Sequence, residues 1–310
     1  MQYFIKSFFL LAFLVCSMAL SAQKTAVKEL IEKKKYKEAL QLVNKELAAN
    51  PDDAELNFYK WEAGRSGGLE FKECFKYLNR AIALDGTYSE AYCDRGVSYL
   101  KMLRFDDAKD DIDAALKYAR TDSLKRQALL VLASYYSDTR HHKEAVETNL
   151  KVLEYDSLNV PALNNLAMGY QDLGEMEKAL SVLYRIEKLD PKAHYVVINI
   201  GFVLSKLDQY EKAIEYFNKA EKMDKDALVY SNRAYAKYKL KDYSGAMVDI
   251  NKSIKLFPSN SYAYRVRGLI YLDQKNTDKA CDDFAAALGL KYTEMYDDDV
   301  KQMRDKYCIK

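Results

Sequence analysis

Gly64–Gly68 reads GRSGG, the spacing that presents a serine nucleophile when a strand leads into it and a helix leads away. Acyl transfer by Ser66 would also need a histidine base. The residues before Gly64 have helical rather than strand spacing, so the motif falls in a turn between two helices, where glycines serve the bend. The histidines are His141, His142 and His194. Adjacent residues of a helix cannot both point one way, and no Cys or carboxylate stands at zinc-ligand spacing around His141 and His142. Asp297–Asp299 lack the alternating oxygen ligands and the glycine of a calcium loop, and read as the acidic start of a helix. Phosphate loops, dinucleotide fingerprints and the HExxH pattern are absent from the sequence. The expectation is a non-enzyme with no catalytic residues, no metal and no cofactor.

Residues 1–22 set the compartment. One cation, Lys6, precedes the apolar run FFLLAFLVCSMAL, and the small pair Ser21-Ala22 follows. This is the pattern of a cleavable export signal, too short in its apolar part to span a bilayer comfortably. Lipidation at Cys16 and an uncleaved anchor are the alternatives; Val15 before Cys16 is a poor residue for the first. Removing the segment takes only Lys6 from 48 basic and 46 acidic side chains, which leaves a formal net charge of +1. A near-neutral chain without a basic block has no electrostatic footprint for nucleic acid. Four cysteines follow: Cys74, Cys93, Cys281 and Cys308. A bridge between Cys281 and Cys308 would tie down the C-terminal end in an oxidising compartment. Two separate thiols fit the sequence equally well.

The elements that carry these residues repeat. Ala39, Cys74, Ala108, Ala145, Ala179, Ala213, Ala246 and Ala280 stand at steps of 35, 34, 37, 34, 34, 33 and 34 residues, each inside a similar motif such as YKEAL, MEKAL or YEKAI. About twelve residues earlier lies a second small residue: Gly96, Ala133, Ala167, Gly201, Ala234 and Gly268. A large residue, often Tyr, follows it by three: Tyr99, Tyr136, Tyr170, Leu204 and Tyr271, with Lys237 the exception. Two antiparallel helices pressed together at small residues, with large ones filling the flanking gaps, account for this pattern.

In these motifs and this period the chain resembles the tetratricopeptide repeat family, over roughly residues 23–292. The resemblance implies an all-α, right-handed superhelical solenoid of about eight helix-turn-helix repeats. Thr293–Cys308 reads as a capping helix that, with the last two residues, makes a terminal segment over 293–310 and covers the apolar face of the last repeat. The first helix of each repeat would line the concave surface.

Asn165, Asn199 and Asn232 each stand two residues before a small packing residue. Two residues are about 200° apart on a helix, so these amides share the face away from the partner helix. Burying each without a partner would cost about 1–3 kcal/mol. They therefore meet water, one another or a ligand. An amide offers a donor and an acceptor to any peptide backbone, and some peptide-binding members of the family use such a row. Tyr195, Phe202, Tyr235 and Tyr262 share the face at helical spacing and would add apolar contacts, unless they pack between repeats. The expected function is a non-catalytic interaction scaffold of the cell envelope that holds a protein or extended peptide in its groove. The alternative is a structural subunit of a periplasmic or outer-membrane assembly, held by its convex face or termini. Either would sit in the periplasm of a Gram-negative bacterium, with any membrane association made through a partner. Neither calls for nucleic acid or a small-molecule substrate.

Overall fold

Among the described residues, eight helix pairs close through the same backbone device, a left-handed residue in the turn between the first and second helix. Lys34, Gly68, Leu103, Arg140, Gly174, Asp208, Lys241 and Lys275 occupy it, with φ from 57° to 90°. Glycine takes this conformation without strain at Gly68 and Gly174, whereas the side chains at the other six accept a cost of about 1–2 kcal/mol each. The uniform turn is why each pair is antiparallel and closely spaced.

The computed structural model describes residues 20–308 and divides into two units, one ending at Ser157 and the other beginning at Leu158. The first unit holds α1 (residues 20–32), α2 (Tyr36–Ala49), α3 (Ala54–Gly67), α4 (Phe71–Leu84), α5 (Ser89–Lys101), α6 (Phe105–Tyr118), α7 (Asp122–Asp138) and α8 (His142–Tyr155). The second holds α9 (Val160–Asp172), α10 (Met176–Leu189), α11 (His194–Lys206), α12 (Tyr210–Met223), α13 (Ala227–Lys239), α14 (Tyr243–Leu256), α15 (Ser261–Asp273) and α16 (Thr277–Gly289), followed by α17 (Tyr292–Met295) and α18 (Asp299–Tyr307). Each unit is an all-α stack of helix pairs, and no strand occurs among the described residues. The export signal expected over residues 1–22 lies outside the described residues up to residue 19, as does Cys16. No helix among the described residues is long and apolar enough to cross a membrane.

Small against large is the packing rule within a pair. The Phe217 ring lies over Gly201 and the Phe284 ring over Gly268, so close that a Cβ on either glycine would stand 2.7 or 2.6 Å from a ring carbon. Where the first helix carries Ala instead, as at Ala167 and Ala234, the facing positions hold the smaller Leu183 and Ile250, all buried. Fully burying each such side chain contributes about 1.5–3 kcal/mol. Helix starts are marked where the chain has a suitable residue: Asp53, Thr121, Asn159, Asp226, Asp242, Asn260 and Asn276 each accept a bond from a backbone N–H of the first turn.

Three pairs add a charged clasp that the small-residue pattern did not reveal. Arg95 reaches Asp111, Arg233 reaches Asp249 and Arg267 reaches Asp283, each through two nitrogens at 2.7–2.8 Å. In every case the Arg precedes the small residue of the first helix and the Asp follows that of the second by three. Arg95 also takes Asn79 at 3.0 Å, and Arg233 takes Asn218 at 2.7 Å, so the same guanidinium holds the second helix of the preceding pair.

The C-terminal segment differs from the single helix expected from Thr293. It is two short helices, α17 and α18, separated at Tyr296–Asp298. Lys291 turns left-handed at φ 62°, and this drops Tyr292 into a cluster with Ala280, Phe284, Ala287 and Val300. Cys281 and Cys308 are brought together as a disulfide with Cα atoms 5.6 Å apart. Cys74 and Cys93 are buried free thiols.

Candidate peptide-binding face

The first helices α11, α13 and α15, with the α17 segment, enclose a cavity of about 300 Å³ in the second unit. Phe202 and Lys206 reach it from α11, Leu228, Asn232 and Tyr235 from α13, and Tyr262 and Arg265 from α15. Tyr292, Tyr296 and Asp297 close the C-terminal side. The rings form a chain: Tyr235 to Tyr262 at 6.2 Å between centroids, Tyr262 to Tyr296 at 5.6 Å, and Tyr296 stacked on Tyr292 at 4.7 Å. These spacings lie within the range where aromatic pairs attract through their edges and faces.

Arg265 sits among those rings, 5.7 Å from the centroid of Tyr235 and 5.6 Å from that of Tyr262. Its Nε donates to Asp299 at 2.7 Å, and Nη2 pairs with the same carboxylate. Burial pushes the Asp299 carboxyl up, but the bond and charge of Arg265 outweigh it and hold the group below the ordinary carboxylate range. Burial also pushes the Tyr262 phenol far above its usual range, so it is neutral throughout physiological pH. Lys206 is different. Its Nζ lies 5.3 Å from the Phe202 centroid, and no carboxylate pairs with it among the described residues.

Of the residues expected from the sequence, Phe202, Asn232, Tyr235 and Tyr262 converge on this cavity. Asn165 on α9 and Asn199 on α11 are half-buried on first helices but do not line it, nor does Tyr195. The three amides do not bond to one another, and no hydrogen bond to them is found among the described residues. Beside them stand exposed apolar side chains: Met168 at 52%, Tyr195 at 46% and Leu228 at 46% exposure. Arg265, Tyr292, Tyr296 and Asp297 were not foreseen. The four-residue spacing of Tyr292 and Tyr296 was the available signal.

The other chemical motifs are placed plainly. Ser66 lies exposed in the last turn of α3, not in the turn expected for it, and Gly64 is packed against Cys74. His141 stands just before α8 with its Nδ1 2.9 Å from the Thr139 hydroxyl and makes no side-chain capping bond, and the His194 Nε2 stands 3.2 Å from the Ala220 carbonyl. Asp299 opens α18 and is spent on Arg265.

Comparison with known proteins decides the family. Tetratricopeptide repeat profiles match residues 160–192, 195–226 and 227–260, and a second such profile matches residues 93–159. The chain belongs to the tetratricopeptide repeat family. Among solved structures, one described as a functional characterization of Pseudomonas aeruginosa pilF is 22% identical, with a TM-score of 0.55, covering 70% of this chain and 97% of its own. A subunit structure of the APC/C hetero-tetramer Cut9-Hcn1 is 17% identical with a TM-score of 0.62, covering 88% of this chain and 53% of its own. At these identities the likeness is one of fold. No curated protein matches the chain significantly. Tetratricopeptide repeats are generally non-catalytic scaffolds for protein partners, and no catalytic family matches.

Proposed function

We propose that this tetratricopeptide protein is an exported scaffold of the bacterial cell envelope that holds an extended peptide segment of a partner protein along its first-helix face. The observation that carries this reading is the conjunction on that face of Asn232 with an aromatic cavity. Unbonded amides at Asn165 and Asn199, and the exposed Met168, Tyr195 and Leu228, continue the same face. Amides orient a backbone whatever its side chains, and rings supply the area that excludes water. The mechanism is equilibrium recognition without covalent chemistry. Export rests on the leader-like residues 1–22.

Asn165→Ala, Asn199→Ala and Asn232→Ala in one chain should leave helicity by circular dichroism nearly unchanged. Each lost backbone bond contributes about 0.5–1.5 kcal/mol. The three together should therefore weaken the partner captured by crosslinking in intact cells about tenfold or more. Unaltered capture would remove the proposal and favour a structural subunit held elsewhere on its surface.

A further inference from the structure

We propose that the cavity selects its peptide: it receives one bulky apolar side chain, with an acidic residue beside it that pairs with Lys206. This rests on the groove reading above and adds a sequence preference to it. The apolar part of the wall is Phe202, Leu228 and the rings of Tyr235, Tyr262 and Tyr296, which favour apolar surface taken from water, while the Ser205 and Ser231 hydroxyls that also line it bond the Gly201 and Leu228 carbonyls of their own helices. At about 300 Å³ the space is at the small end for a ligand site and suits a side chain rather than a folded domain.

Charge settles what stands next to it. A cationic side chain is the usual guest of a tyrosine cage, but the Arg265 guanidinium already takes up that place over Tyr235 and Tyr262. Arg265 is itself neutralised by Asp299. On the C-terminal side Asp297 disfavours an anion, and its carboxylate accepts the Asp299 N–H at 3.0 Å. On the α11 side Lys206 is exposed and has no carboxylate paired with it among the described residues. On the same face of α13, seven residues after Asn232 as Lys206 is after Asn199, Lys239 stands 5.6 Å from the Tyr210 centroid, also without a carboxylate among the described residues. The guest that leaves no group unmet is therefore apolar over Tyr262 and Tyr296, with its acid toward α11.

A library of random twelve-residue peptides displayed on phage, selected on the immobilised protein, tests this. Enriched peptides should share a Phe, Trp, Leu or Met adjacent to Asp or Glu. Replacing that apolar residue by Ala in a fluorescein-labelled peptide should weaken binding about tenfold or more. Lys206→Glu changes an exposed residue, so the fold is kept; it should turn the neighbouring preference from acidic to basic while keeping the apolar position. Enrichment without a bulky apolar residue, or an unchanged neighbour in Lys206→Glu, overturns this inference. The groove reading then still stands if the triple Asn→Ala variant no longer captures the same peptides. No enrichment over an uncoated surface overturns both.

Discussion

Arg233 exposes 5% of its side chain and Asp249 2%, so each charge depends on the other for what water no longer supplies. Withdrawing an ion costs several kcal/mol, which is recovered only with good geometry and full hydrogen bonding. Both conditions are met: the carboxylate oxygens take Nε and Nη2 at 2.8 Å, Asn218 and Glu221 accept from Nη1, and Lys237 adds a second cation to Asp249 at 2.8 Å. The same chain also holds an apolar solution at these positions. In the α9–α10 pair the equivalents are Leu166 and Val182, both buried. Arg233→Leu alone leaves Asp249 with Lys237 as its only cation and should cost about 3 kcal/mol, at the low end for breaking a buried pair. Adding Asp249→Val should restore most of the lost stability, since Glu221 and Lys237 are accessible enough to return to water. Urea midpoints of the two variants check this; a double variant as weak as the single would show that the network contributes more than charge pairing. The clasp was present in the sequence as Arg and Asp sixteen residues apart in three repeats. The small-residue period does not carry it, because a charge on a packing stripe reads as surface until its partner is placed.

At the scale of the element, the end of the array shows how far periodicity reaches. The helix pairs follow from spacing alone, because each pair buries the same stripe and turns at the same place. The cap has no repeat to compare with. Its departure from α16 depends on Lys291 taking a left-handed turn and on Tyr292 finding Phe284 and Val300, contacts that no local pattern encodes. The cavity was half legible for the same reason: α11, α13 and α15 supplied residues at helical spacing, whereas the α17 wall had to be seen. The disulfide fastens that wall, since it joins α16 to the residue after α18 while Asp299 at the start of α18 holds Arg265. The bridged cysteines are 27 residues apart, for which loop-closure entropy corresponds to about 3.5 kcal/mol as a ceiling. In exported, unreduced protein, denaturation should expose two reactive thiols, Cys74 and Cys93, and reduction should add two more. Cys281→Ser with Cys308→Ser should speed amide exchange in α18 before the rest of the unit. Four reactive thiols without reductant would mean that the bridge does not form in the cell.

For the molecule as a whole, the order of contacts governs how a local loss spreads. Within each unit, among the described residues, contacts join helices adjacent in sequence or separated by one, as α11 to α12 and α13 to α15. Stability in such a stack is close to a sum of each pair's own contribution and the interfaces with its neighbours. The family was legible from the period, and the partner was not, because one scaffold carries many unrelated interactions. This arrangement has a consequence for the residues beginning at Leu158. A loss of about 3 kcal/mol from Arg233→Leu should raise amide exchange most in α13 and α14 and less in α12 and α15, with α9 and α10 unchanged. Arg233 also bonds Asn218 and Glu221 on α12, so the effect should run further toward the N-terminal neighbour than toward α15. Hydrogen exchange followed by mass spectrometry resolves these helices separately. A uniform rise from α9 to α16 would instead mean that the four pairs open together, and a groove spanning Asn165 to Asn232 would then gain or lose its order as one body.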